Sequence, residues 1–181
     1  MLVEDFSIET VEVGGYPIQT FKARFRNIWG MLLESAARYP DEVYLIENEQ
    51  RLTFGQTVDL AGALASYIKK QAGFGRGDHL GILMENSIRF VVTFWAIQNL
   101  GATAVVFNTR LAKAELKRQL QFSDLKALIY SPLLASGLQE TSTSLTGFVR
   151  IELNDKGLTG LPKKEELPLP NEISEDDKGS A

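Results

Sequence analysis

From His79 to Leu153 short apolar runs alternate with longer helical stretches, and few folds accept that pattern. The runs are His79–Met84, Ala102–Phe107, Lys126–Tyr130 and Phe148–Leu153, each short enough for a strand. Between them lie a largely apolar helix over Ser87–Leu100, an amphipathic one over Lys113–Ser123, and one opening at Ser131-Pro132. Ser131 is placed to cap that last helix, with Pro132 at its first position, where a missing N–H costs nothing. Gly101 is placed to end the Ser87–Leu100 helix in the left-handed conformation. Apolar strands alternating with helices indicate βαβ units and a mostly parallel sheet with helices on both faces. In such a layer the all-round apolar helix Ser87–Leu100 is expected to be the most deeply packed element.

The residues before this alternation form smaller pieces. Val11–Phe21 alternates around Gly14-Gly15 and predicts a hairpin. Apolar residues at 28, 32, 36 and 39 predict a helix that ends before Pro40. Val43–Phe54 predicts two short strands around Glu49-Gln50. Thr53 with Gln56 three positions on has the form of a capping box. The helix it opens carries Phe54, Val58, Ala61, Leu64, Ala65 and Ile68 on one face. After Asn154 the periodic apolar pattern stops, and prolines, glycines and charges dominate to Ala181. The expected organisation is an α/β subdomain over 1–153 and a linker-like tail over 154–181.

Composition removes several functions. A net charge of −4 argues against nucleic-acid binding, which needs clustered excess Lys and Arg. With no cysteine and one histidine, neither a disulfide framework nor a Cys- or His-rich metal site is available. The acidic start, with Glu4, Asp5, Glu9 and Glu12, is unlike a secretory signal, and a cytoplasmic protein is expected. Phe90–Thr109 carries no charge, but Gln98, Asn99 and Gly101 sit at its middle, so it reads as a buried helix and strand rather than a membrane span.

Most candidate sites have a plain structural reading. Gly73–Gly77 is glycine-rich but lies between a helix and a strand, the reverse of a phosphate cradle, and reads as a C-cap and turn. Thr141–Gly147 has hydroxyls but no following lysine, and reads as a helix end. His79 opens a strand with no readable nucleophilic partner and reads as a packed or edge histidine. Lys113, Lys117 and Arg118 form a basic side interrupted by Glu115, read as a solvated face with a phosphate contact as the lesser alternative. Asn108, Thr109 and Arg110 lie just past the carboxyl end of a central strand, where open α/β sheets place ligand crevices. The competing reading has Asn108 and Thr109 capping the next helix.

The order of these pieces resembles the opening of the AMP-forming adenylating enzymes. Leu52-Thr53-Phe54 is similar to that family's first core motif, though Gln56-Thr57 replaces its Glu-Leu end. Leu100-Gly101-Ala102 through Asn108 is similar to the second, with Val106-Phe107 where Pro-Leu is common. Asn108-Thr109-Arg110-Leu111 is closer to fatty-acyl and aryl acid–CoA ligases than to peptide-synthetase adenylation domains. Thr159-Gly160-Leu161-Pro162-Lys163 matches the second half of the family's phosphate loop without the hydroxyl run of the first half, and reads as a coincidental turn. Glu172–Ala181 resembles the acidic approach to that loop.

The resemblance implies a parent enzyme that uses ATP, Mg²⁺ and CoA to convert a carboxylic acid to an acyl-adenylate and then a thioester. It also implies that the phosphate loop and catalytic groups lie beyond these residues. The chain itself is then expected to be an inactive N-terminal subdomain, a truncation with no catalytic or metal residue and no bound cofactor. Its exposed apolar face invites self-association. The alternatives are a natural non-catalytic α/β binding module, or a parent ligase that loads a carrier-protein thiol.

Overall fold

The computed structural model describes residues 6–142 and 147–154. Strands β1 (Ile8–Val13) and β2 (Tyr16–Phe21) pair antiparallel from Ile8↔Phe21 to Val13↔Tyr16. The expected hairpin is present, although β1 begins at Ile8 rather than Val11. Its link, Gly14-Gly15, has φ of 59° and 83°, and both signs suit a two-residue turn that follows the strand twist. Helix α1 (Ile28–Arg38) opens where the Asn27 side chain accepts from Gly30 N at 2.8 Å. It buries Trp29 and Leu32 and stops before Pro40.

Strands β3 (Val43–Glu47) and β4 (Gln50–Thr53) form a second antiparallel pair. Helix α2 (Phe54–Ala72) follows through the capping box: Gln56 N donates to Thr53 Oγ1 at 3.2 Å and Thr53 N to Gln56 Oε1 at 3.0 Å. The helix ends at Gly73, whose φ of 69° and N–H bond to Lys69 O make it the C-cap anticipated there.

The remaining elements are β5 (His79–Leu83), α3 (Ile88–Asn99), β6 (Thr103–Val106), α4 (Lys113–Phe122), β7 (Leu125–Tyr130), α5 (Ala135–Ser142) and β8 (Val149–Glu152). Their strands form one parallel sheet in the order β6-β5-β7-β8. Strand alternation divides the core in two. Leu80, Ile82, Ala127, Ile129 and Ile151 pack with Leu64 and Ile68 of α2 and Val92 and Ala96 of α3. Leu83, Leu125 and Leu128 face the other way, with Leu116 and Leu120 of α4 and Leu138 of α5. The sheet is therefore covered on both faces.

Gly81 marks the tightest point, because a Cβ there would lie 2.7 Å from Leu128 Cδ1 and 3.0 Å from both Leu125 Cδ1 and Phe107 Cε2. At Gly101 a φ of 68° turns the chain from α3 toward β6.

Two expectations are corrected. The deepest element is β5 rather than α3: Leu80 and Ile82 are fully buried, whereas Phe90, Phe94 and Trp95 of α3 are only partly covered. A central strand is enclosed by two layers, a helix by one side of one layer. The chain after Ser131 first makes a 3₁₀ turn, Pro132–Leu134, before α5, and Ser131 makes no side-chain capping bond. Residues 143–146, the Thr159–Lys163 stretch and the Glu172–Ala181 stretch lie outside the described residues. Among the described residues no helix is long and apolar enough to cross a membrane.

Candidate functional site

Strand order and connection together locate the crevice. The chain leaves β5 through α3 on one face, and leaves β7 through α5 on the other. Connections diverge between β5 and β7, which are neighbours, so their carboxyl ends form the switch point where doubly wound sheets bind ligands. Here that point is filled by the chain's own side chains. Ser131 is fully buried, and its hydroxyl donates to Glu85 Oε2 at 2.6 Å. Arg89 Nη2 lies 3.0 Å from Glu85 Oε1, and Arg89 Nη1 donates to Leu153 O at 3.4 Å. The network ties the chain beyond β5, β7 and β8 together.

Burial alone would raise the Glu85 carboxyl. The Ser131 hydroxyl, a backbone hydrogen bond and the Arg89 cation outweigh it and hold the group below its ordinary value. Glu85 is therefore an ionised structural partner at neutral pH rather than a proton donor. Tyr130, at the end of β7, is pushed up by burial and then by Glu152, with Arg150 offsetting only part, so its phenol stays protonated.

The N-terminus of α3 follows β5, where a parallel sheet would present backbone N–H groups to a phosphate. Its donors are engaged internally: Ile88 N donates to Glu47 Oε2 at 2.7 Å and Phe90 N to Ser87 Oγ at 3.2 Å. A polyphosphate there would meet the carboxylates of Glu47 and Glu85. The described switch point is a floor of committed side chains, and it does not fit a triphosphate.

Asn108, Thr109 and Arg110 lie one strand further out, past β6, which among the described residues is an edge strand and not the central strand expected, so they stand beside the switch point rather than at it. Arg110 N donates to Asn108 Oδ1 at 2.9 Å, and Leu111 N reaches Asn108 O at 3.4 Å. This is an Asx turn that leaves Asn108 and Arg110 exposed and Thr109 half-buried. The reading of Asn108 and Thr109 as helix caps is corrected, because the N-cap of α4 is Ala112, which makes no side-chain bond.

His79 is a half-buried histidine at the start of the central strand β5, paired on both sides, and its Nδ1 lies 2.9 Å from Ser123 O, so of the two readings the packed one holds and the edge one does not. On α4, Arg118 stacks over the exposed Phe122 ring at 5.8 Å. Among the described residues no group of three or more His, Asp or Glu is placed to hold a metal.

Sequence reasoning missed Glu85, Arg89 and Glu47. The spacing of Glu85 and Arg89 is an ordinary helical ion pair, while the Ser131 and Leu153 partners are separated by 46 and 64 positions from Glu85 and Arg89 respectively.

Comparison with known proteins agrees with this architecture. A long-chain-fatty-acid–CoA ligase of Mycobacterium tuberculosis, FadD13, is 36% identical over 107 residues, which cover 58% of this chain and 21% of that protein. A medium/long-chain-fatty-acid–CoA/3-oxocholest-4-en-26-oate–CoA ligase of Mycobacterium marinum is 33% identical over 121 residues, covering 65% of this chain and 22% of that one. The crystal structure of the N-terminal domain of FACL13 from Mycobacterium tuberculosis superposes with a TM-score of 0.69 at 28% identity, covering 76% of this chain and 36% of that one. The match spans about a fifth of the length of the curated relatives. The family model for AMP-binding enzymes matches residues 32–177, and by that match the chain belongs to the AMP-binding enzyme family.

Proposed function

We propose that the chain is the N-terminal part of an ATP-dependent, AMP-forming acid–CoA ligase. The family match over residues 32–177, with relatives named as fatty-acid–CoA ligases, carries this reading. In the proposed reaction a carboxylate oxygen attacks the α-phosphorus of ATP and the bond to pyrophosphate breaks. The CoA thiolate then attacks the acyl carbon, and AMP leaves. Mg²⁺ would neutralise phosphate charge in the first step.

The described residues do not fit ATP or Mg²⁺: α3 caps itself with Glu47 and Ser87, and no metal-ligand cluster is present among them. We therefore assign these residues a scaffolding role. We place Asn108, Thr109 and Arg110 on the substrate side of the cleft, residues 1–153 in one subdomain and 154–181 in a linker, and the protein in the cytoplasm. We further propose that residues 1–181 alone do not turn over. The open edge of β6, with Val106 and Phe122 exposed, favours self-association of the isolated chain.

A chimera tests the ligase reading. Residues 28–154 replace the matching segment of the complete Mycobacterium tuberculosis fatty acyl CoA synthetase. Carboxylate-dependent ATP–pyrophosphate exchange well above background is the expected result. A folded but inactive chimera counts against the assignment.

A further inference from the structure

The β1–β2 hairpin lies before residue 32, where the family match begins, and the ligase reading assigns it nothing. Among the described residues no other element packs substantially on it. Ile8 and Phe21 stand exposed on one face, where the Phe6 ring meets Phe21 edge-on at 6.2 Å. Val13, Tyr16 and Ile18 stand exposed on the other. Two strands alone are marginal in water, whereas three or more with an apolar face hold together.

The two edges of the hairpin are not alike. Lys22 N donates to Ser7 O at 3.0 Å, and antiparallel alternation then makes Glu9–Thr20, Val11–Ile18 and Val13–Tyr16 the inward-bonded pairs. The backbone groups of Pro17, Gln19 and Phe21 therefore point out of the β2 edge. That edge is closed: Pro17 has no N–H, and Phe21 O accepts from Arg24 Nη1 at 2.7 Å. On β1 the outward groups belong to Ile8, Thr10 and Glu12, each with an N–H and a C=O. Among the described residues no strand pairs with them.

We propose that the β1 edge docks a second copy of this chain, antiparallel about a two-fold axis at Thr10. The sheet of the dimer runs β2-β1-β1-β2. In this register Ile8 of one copy meets Glu12 of the other, Thr10 meets Thr10, and Glu9 meets Val11. Every outward N–H of β1 is used, and no like charges stand directly opposite. Glu9 lies diagonal to its own copy, and each is already engaged by an Arg24. An axis at Glu9 would set that carboxylate against itself, and one at Val11 would carry Ile8 past the end of the other β1. That β1 complements itself in one register favours a second copy over a strand from another protein. The closed β2 edges stop the assembly at two copies, and the surface is separate from the β6 edge.

The test is sedimentation equilibrium of the 181-residue chain, with Val106→Lys in every form so that the β6 edge does not contribute. A monomer–dimer equilibrium is expected. Thr10→Pro removes the N–H groups that bond across the axis and should weaken association roughly tenfold or more. Thr10→Lys sets two cations opposite each other without altering the backbone, and should weaken association most at low salt. Gln19→Pro is the matched control, since Gln19 faces Thr10 across the hairpin and its N–H also points outward. It should associate as the form with Gln19 does, with circular dichroism confirming that each variant is folded. A chain that stays monomeric, whether or not it captures an extended basic peptide, would overturn the proposal. So would equal losses from Thr10→Pro and Gln19→Pro, or growth beyond two copies.

Discussion

Removing the Ser131 hydroxyl should loosen the carboxyl end of the sheet by a calculable amount. Ser131→Ala deletes the 2.6 Å bond to Glu85 and little volume. A hydrogen bond to a charged group contributes about 1.5–3 kcal/mol when its partner is left dry. Glu85 keeps Arg89, and 33% of its side chain faces water, so solvent replaces part of the loss. The expected destabilisation is about 1–1.5 kcal/mol. For a urea m-value of about 2 kcal/mol/M the unfolding midpoint falls by about 0.6 M.

The pH dependence supplies the sharper check. The folded Glu85 value is lowered, so its stabilisation is complete above the unfolded carboxylate value of about 4.3 and fades as pH falls through the folded value. The gap between Ser131→Ala and the unaltered chain should be full at neutral pH and shrink in acid below that window. Urea titrations followed by circular dichroism at both pH values measure it. A gap of the same size at both, or none at neutral pH, would refute the charged hydrogen bond as its source.

Gly81→Ala should cost about 1–3 kcal/mol, read from the same titration, because the new methyl meets three buried side chains at 3.0 Å or less. An unchanged midpoint would show that Leu128, Leu125 and Phe107 move aside freely. Thr53→Ala removes the hydroxyl that receives Gln56 N and should cost about 1 kcal/mol. Ile129→Ala empties a fully buried position on the α2–α3 side of the sheet and should cost about 2–5 kcal/mol. Thermal unfolding followed by circular dichroism ranks these last two, and the reverse order would contradict the packing described.

The parts legible in the sequence were those set by local chemistry. Thr53 with Gln56, Gly73, Gly101 and the Gly14-Gly15 turn each act within a few residues, and each does what its spacing implies. The apolar runs from β5 to β8 declared a parallel sheet because only a strand buried on both faces dispenses with alternation.

Ser131 shows where local reading stops. A serine before a proline looks like a cap, but the folded chain brings the Glu85 carboxylate, 46 residues away, within 2.6 Å. The hydroxyl donates to that carboxylate in a charge-assisted bond, and its oxygen accepts no backbone N–H of the following turn. Glu47 is the same kind of case, since its capping of Ile88, 41 residues on, depends on how β3 packs near α3. Asn108 reads in the sequence as a crevice residue or as a cap of the next helix, and the cap reading fails because it closes its own Asx turn before α4 begins.

Carboxylate-dependent ATP–pyrophosphate exchange by the purified 181-residue polypeptide, assayed with short, medium and long acids, bears most directly on the account. A scaffold whose helix termini and carboxylates are already committed to one another should give no exchange above background. Sustained exchange with any acid would mean that these residues do grip triphosphate, and the assignment of a supporting role would be wrong.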